Sequence, residues 1–101
     1  IYRSIKRVSV LGKPIIITEN GVADKKDIFR SKYIDRYLFA VSRAISEGAD
    51  IRGYYYWSFM DNFEWSEGYD MKFGLYKVDF KTQERSLREG SKHFIEIISR
   101  F

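Results

Sequence analysis

A chain of 101 residues supplies at most one domain, and its 45% hydrophobic and 18% aromatic residues are ample for a packed core. Eighteen basic and fourteen acidic residues are spread along the chain without a block or stripe, which argues against a nucleic-acid-binding face, and no apolar run reaches membrane-spanning length. The absence of cysteine excludes disulfides, thiolate metal sites and a thiol nucleophile, and it leaves the cellular compartment open.

The first predicted elements are a short helix over residues 1–8 and a strand that begins at Ile15. Three consecutive isoleucines have neither the helical period nor the alternation of a half-exposed strand. They are typical of a central parallel strand that is covered on both faces. Glu19 follows this run directly, and Asn20 with Gly21 then turns the chain.

Glu19 has two interpretations. The carboxyl ends of parallel strands are where α/β folds hold their reactive groups, which favours a catalytic role. The alternative is that Glu19 is the first solvated residue after a core strand. Asn-Gly also signals hairpins, but residues 22–27 do not alternate as a returning strand must, so we exclude a hairpin.

A long amphipathic helix and a second strand come next. We expect the helix to have Asp27 as its N-cap and Gly48 as its stop, and we expect the strand to cover Ile51–Ser58. Strand, helix and strand together form a βαβ unit, whose crossover is right-handed in nearly all proteins.

The last third of the chain contains a loop over residues 59–70, an extended segment over residues 74–80, and a final helix. The spacing of Ser86 and Glu89 predicts a capping box at the start of that helix. Its apolar stripe is formed by Leu87, Phe94, Ile95, Ile98 and Phe101. His93 lies on the same helix, where a surface or packing role is much commoner than catalysis.

The end of the second strand and the residues that follow it interleave aromatic and acidic side chains. Aromatic rings pack on the C–H face of a sugar, and a carboxylate accepts two adjacent hydroxyls, so this pattern suits a carbohydrate pocket. The alternative is a loop whose aromatics pack on their own domain while the acids face water, and a calcium loop is a weaker third option because its spacing is absent. The residues concerned are Trp57, Phe59, Asp61, Phe63, Glu64, Trp65, Glu67, Tyr69, Asp70 and Phe73.

Carboxylates are the only catalytic groups that the motifs offer, because G-x-S-x-G, H-E-x-x-H and Walker sequences are all absent. The sequence therefore indicates neither a metal site nor a cofactor.

Several segments resemble, in order and spacing, the C-terminal part of the family 1 glycoside hydrolases, the β-glucosidase family. They are Ile17-Thr18-Glu19-Asn20-Gly21, Gly53-Tyr54 with Trp57-Ser58, Asp61-Asn62-Phe63-Glu64-Trp65 with Gly68-Tyr69, Lys72-Phe73-Gly74-Leu75, and Val78-Asp79. The resemblance covers essentially the whole chain. Lys72 departs from it, because the family usually has arginine before Phe-Gly.

The resemblance implies that residues 1–101 are the C-terminal part of one (β/α)8 TIM-barrel domain, with 15–18 as strand seven and 54–58 as strand eight. It implies that Glu19 is the nucleophile of a retaining β-glycosidase. It further implies a sugar subsite with Trp57 as its floor, Glu64 on the hydroxyls, Trp65 as an N–H donor and Phe73 as a wall. Because a carboxylate at position 64 repels phosphate, the implied substrates are unphosphorylated β-glycosides.

A retaining glycosidase also needs a general acid/base, which this family takes from an Asn-Glu-Pro segment that the chain lacks. A TIM barrel needs roughly 250 residues. We therefore expect the chain to be inactive alone, and to need the N-terminal part of the barrel as its partner. An alternative of a different class is a non-catalytic sugar-binding or assembly module derived from such a barrel.

Overall fold

The structure is a computed structural model that describes residues 1–100. Its elements are helices α1 (Tyr2–Ser9), α2 (Arg30–Ser46) and α3 (Lys92–Ile98) and strands β1 (Ile15–Asn20), β2 (Ile51–Tyr56), β3 (Tyr76–Val78) and β4 (Arg85–Leu87). Short 3-10 turns cover Trp65–Glu67 and Glu89–Ser91. Phe101, the last residue of the predicted apolar stripe, lies outside the described residues.

Strands β1 and β2 are parallel neighbours, and α2 is the crossover between them. Ile17 is opposite Tyr54 in the register, and Asn20 is opposite Tyr56, so the two strands end side by side. The predicted βαβ unit is therefore confirmed, and so is the exclusion of a hairpin after Gly21.

The helices α1 and α2 cover one face of this two-stranded sheet. Their buried residues Ile5, Val41 and Ala44 pack with Ile15 and Ile17 of β1. Ile16 points the other way and is 57% exposed. Within residues 1–100 the helices pack on one side of β1 only, and the covering of its other face stays a prediction.

The start of α2 differs from the prediction in its cap. Asp27 is not the N-cap residue, because the helix begins at Arg30 and Phe29 precedes it. The backbone N–H groups of Phe29 and Arg30 instead donate to the carboxylate of Asp24, at 2.6 and 2.9 Å. The predicted stop is confirmed, since Gly48 follows the end of the helix with a φ of +93° that favours glycine.

The predicted capping box is also wrong. Ser86 lies in β4, where it pairs with Lys77 of the antiparallel neighbour β3, and α3 begins only at Lys92. Pairing with a strand distant in sequence therefore overrides the local helix signal. Across residues 1–100, none of the helices combines the length and apolar character that crossing a membrane requires.

Candidate active site

The carboxyl end of β1 is joined directly to the end of β2. The backbone N–H of Trp57 donates to the carbonyl oxygen of Asn20 at 3.0 Å, and the hydroxyl of Tyr54 donates to the side-chain oxygen of Asn20 at 2.7 Å. Burial raises the pKa of Tyr54, so its phenol stays protonated and remains a donor at neutral pH. Asn20, the residue after Glu19, is therefore fixed to Trp57, the first residue after β2.

Glu19 itself is exposed at the end of β1. It borders a groove of about 450 Å³ that is lined by the whole of β1, by Tyr37 and by residues of α1. Strand β1 has a hydrogen-bonded neighbour on one side only within residues 1–100. Within residues 1–100 the Glu19 carboxylate is therefore in contact with solvent at the carboxyl end of β1.

Trp57 and Glu64 are brought together although a turn of the chain separates them. The indole Nε1 of Trp57 lies 3.4 Å from a carboxylate oxygen of Glu64, and both residues are half-buried. The backbone N–H of Glu64 donates to the carbonyl of Gly68 at 2.7 Å, which closes the short turn that follows. An aromatic face and an acceptor carboxylate therefore lie side by side, as the carbohydrate interpretation requires.

Trp65 and Phe73, the other two predicted binding residues, are placed differently. Trp65 is 84% exposed and has a φ of +44°, and no hydrogen bond of its side chain is found within residues 1–100. Phe73 is half-buried, and its carbonyl oxygen accepts from the backbone N–H of Ser58 at 3.3 Å. The structure therefore brings Phe73 beside the end of β2 and leaves the indole of Trp65 open to solvent.

Part of the aromatic loop packs on itself. The ring of Tyr69 lies 5.2 Å from that of Phe63 and 4.4 Å from that of Phe80, and the Lys72 ammonium lies 5.1 Å above the Phe80 ring. The alternative interpretation of the loop is thus correct for these rings. They support the turn that carries Glu64 and Trp65.

Asp61 anchors the same loop from inside. It is 3% exposed, it forms a two-pronged ion pair with Arg88 at 2.9 Å, and it accepts the backbone N–H groups of Gly74 and Val78. Burial raises the pKa of Asp61, but the hydrogen bonds from Arg88 and from the two amides outweigh it and hold the pKa below its ordinary value. Asp61 is therefore a charged support for the loop.

Sequence reasoning missed Arg30, Tyr54 and the pairing of Asp61 with Arg88. Arg30 carried a usable signal, because it lies four residues before Ile34 and eleven before Val41, on the apolar stripe of α2. A charged residue on such a stripe indicates a buried polar network. The other contacts join residues far apart in sequence, and no local pattern announces them. Within residues 1–100 no group of three or more metal-binding side chains is arranged to hold an ion.

An α/β unit with acidic and aromatic residues at the carboxyl ends of parallel strands is typical of TIM-barrel and related α/β enzymes. The profile of glycosyl hydrolase family 1 matches residues 2–101, and the chain belongs to that family. The predicted family is confirmed.

Relatives agree with this assignment. The chain is 43% identical over 100 residues to a β-galactosidase of Pyrococcus woesei, covering 98% of this chain and 20% of that protein. It is 48% identical over 100 residues to a bifunctional β-D-glucosidase/β-D-fucosidase of Bifidobacterium breve, covering 84% of this chain and 22% of the relative.

Among solved structures, a hyperthermophilic β-glucosidase from Pyrococcus furiosus superposes with a TM-score of 0.95 at 45% identity, covering 98% of this chain and 21% of that one. The β-glycosidase from Thermosphaera aggregans superposes with a TM-score of 0.93 at 41% identity, covering 97% and 21%. The fold prediction is therefore confirmed: the chain has the structure of a C-terminal portion of a family 1 TIM barrel. It spans about a fifth of the length of the relatives that it matches.

Proposed function

We propose that residues 1–101 form the C-terminal part of a single TIM-barrel domain, and that the complete barrel is a retaining β-glycosidase for unphosphorylated β-glycosides. The observation that carries this proposal is the contact between the Trp57 indole and the Glu64 carboxylate. The backbone N–H of the same Trp57 donates to the carbonyl of Asn20, the residue after Glu19. Relatives that are named β-glucosidases and β-galactosidases support it.

In the proposed mechanism, Glu19 is the nucleophile. One of its carboxylate oxygens bonds to the anomeric carbon of the sugar while the bond from that carbon to the glycosidic oxygen breaks. A second carboxyl group, supplied by the N-terminal part of the barrel, protonates the departing oxygen. The product is a glycosyl ester on Glu19 and a free alcohol.

The second step releases the sugar. The same second carboxyl group, now ionised, removes a proton from water, the water oxygen bonds to the anomeric carbon, and the ester bond to Glu19 breaks. Both carboxyl groups return to their starting states. In retaining enzymes the two groups lie about 5–5.5 Å apart, so the partner must reach over the carboxyl end of β1.

The remaining residues hold the sugar in this geometry. Trp57 packs on its C–H face, and Glu64 accepts adjacent hydroxyls through charge-assisted hydrogen bonds. Trp65 adds an indole N–H donor and Phe73 closes the wall. The exposure of Trp65 fits this role, because its side chain is unengaged and available to a ligand.

The proposal is tested by covalent labelling of the complete protein, meaning the barrel that contains these residues. A 2-deoxy-2-fluoro-β-glucoside slows both steps and, with a reactive leaving group, traps the glycosyl ester. Digestion and peptide mapping are expected to place the adduct on Glu19. An adduct on any other residue, or the absence of both adduct and hydrolysis, contradicts the proposal.

A further inference from the structure

Arg30 is fully buried in the first turn of α2, with 0% of its surface exposed. A guanidinium ion taken out of water is strongly destabilising unless its charge and its hydrogen bonds are all satisfied. The sugar-binding role proposed above does not involve Arg30. The hydrogen-bond acceptors around its guanidinium group explain how the fold keeps this ion in its interior.

Six acceptors surround the Arg30 side chain, which has five N–H donors. They are a carboxylate oxygen of Asp27 at 2.9 Å, the carbonyls of Val22 at 3.1 Å and Asp24 at 2.8 Å, the hydroxyl of Tyr56 at 2.9 Å, and the carbonyls of Lys72 at 3.1 Å and Phe73 at 3.2 Å.

Five of these acceptors belong to two different loops, and the sixth, the Tyr56 hydroxyl, belongs to the last residue of β2. Val22, Asp24 and Asp27 follow Glu19 in the loop after β1, whereas Lys72 and Phe73 end the loop after β2. The backbone N–H of Asp24 also donates to the carbonyl of Lys72 at 3.0 Å, so the two loops meet at the guanidinium.

We propose that Arg30 is a positioning residue that sets the placement of Glu19 relative to the sugar-binding wall formed by Trp57 and Phe73. This inference rests on the function proposed above. Arg30 touches neither sugar nor reacting atoms in it, and acts by holding both loops to one rigid, planar group. A small shift between nucleophile and bound sugar slows the bond-forming step far more than it weakens binding.

Lysine cannot replace this group. Its ammonium presents three donors at one point instead of a planar fork of five, so it cannot reach the carbonyls of both loops at once. Arg30→Lys therefore keeps the charge and removes the connection. This makes it a sharper test than removal of the side chain.

The experiment measures how fast the 2-deoxy-2-fluoro-β-glucoside inactivates the complete protein at several concentrations. It gives two separate quantities, the labelling rate at saturation and the concentration at which half that rate is reached. For Arg30→Lys we expect the saturating rate to fall about 100-fold and the half-saturating concentration to change by less than about threefold. The matched control is Ile34→Ala, which lies one turn later on the same helix, is also fully buried, and makes packing contacts with Leu75 and Phe94. It is expected to lower Tm while leaving the labelling rate near wild type at temperatures well below Tm.

A second, milder variant covers the case in which Arg30→Lys fails to fold. Tyr56→Phe removes one of the six acceptors and keeps the ring, whose centroid lies 5.8 Å from that of Phe94. It is expected to slow labelling about fivefold, with the half-saturating concentration again little changed.

Labelling of every folded variant of Arg30 and Tyr56 at the rate of Ile34→Ala overturns the positioning role. So does a loss that appears in the half-saturating concentration alone. A wild-type protein that is not labelled on Glu19 overturns the proposed function instead, and the two failures are therefore distinguishable.

Discussion

The carbonyl oxygen of Trp57 occupies the space that a side chain on Gly21 would need. An ideal Cβ built on Gly21 lies 1.6 Å from that oxygen and 2.7 Å from the carbonyl carbon. Both neighbouring atoms are backbone, so neither can rotate away. Glycine is therefore required at position 21 by the close approach of the two strand ends.

Gly21→Ala in the complete protein is expected to push the loop after β1 away from Trp57 and to lower kcat/KM for an aryl β-glucoside at least about 100-fold, because Glu19 lies two residues away. The control is Gly12→Ala. Gly12 has a φ of +61° and no atom within 4 Å of its ideal Cβ, so alanine there costs about 1 kcal/mol of stability and leaves activity unchanged. Equal activities of the two variants would contradict this account.

Glu64→Gln tests the carboxylate beside Trp57. A hydrogen bond to a charged acceptor contributes about 1.5–3 kcal/mol, so loss of the charge is expected to lower kcat/KM roughly 10- to 100-fold. The comparison is Glu67→Gln, an exposed residue in the same turn, which is expected to change kcat/KM by less than about twofold. Steady-state kinetics on the complete protein provide the measurement, and matching losses in both variants would remove Glu64 from the binding role.

The parts of this site that the sequence predicts are those with a local signal. The isoleucine run places Glu19 at a strand end, and the second apolar run places Trp57 at the end of a strand with Glu64 in the loop that follows. The contacts of Arg30 with residues 72 and 73 join segments about forty residues apart, so no window of the sequence contains them.

The cap of α2 and the start of α3 show the same limit. Local spacing favours Asp27 as the N-cap, but the Asp27 carboxylate is engaged by Arg30 and by the backbone N–H of Gly90, at 2.9 and 2.7 Å. Ser86 has the spacing of a capping box, but its backbone is used in pairing with β3. In both cases a distant partner competes for the group that the local pattern assigns to a helix end.

The buried pair of Asp61 and Arg88 predicts how stability depends on pH. Because the pKa of Asp61 is lower in the folded protein than in the unfolded chain, its contribution is present above the unfolded value of about 3.9 and is lost as the pH falls through the folded value. Asp61→Asn is expected to lower stability at pH 7 by about 3 kcal/mol, since Arg88 is left buried without its counter-charge. Between pH 5 and pH 3 the stability of Asp61→Asn is expected to decline less steeply than the stability of the wild type.

Thermal unfolding of the complete protein at several pH values checks this expectation. The control is Asp79→Asn. Hydrogen bonds from the backbone N–H groups of Lys81 and Thr82 lower the pKa of Asp79 too, but this residue is exposed and its charge is screened by water. A wild-type and an Asp61→Asn profile that run parallel from pH 7 to pH 3 would contradict the role of the Asp61 charge.

The open face of the sheet predicts the behaviour of the 101-residue chain by itself. Ile16 is 57% and Tyr55 is 63% exposed, and both lie beside Gly53, whose ideal Cβ would be 3.2 Å from one side chain and 3.4 Å from the other. Apolar residues that adjoin on one face of a sheet with unpaired edges favour association. The isolated chain is therefore expected to form oligomers or precipitate, as measured by light scattering after gel filtration.

Substitution of both residues, Ile16→Lys with Tyr55→Lys, tests whether this face lies in the interior of a barrel or on a free surface. In the isolated chain the two lysines are expected to reduce association, because they place charge on the exposed face. In the complete protein the same change is expected to prevent folding, because a TIM barrel buries this face in its packed interior and a buried unpaired ammonium is strongly destabilising. A folded, active double variant of the complete protein would contradict the placement of this face inside a barrel. An isolated chain that is monomeric and binds glucosides without hydrolysing them would favour a non-catalytic sugar-binding module instead.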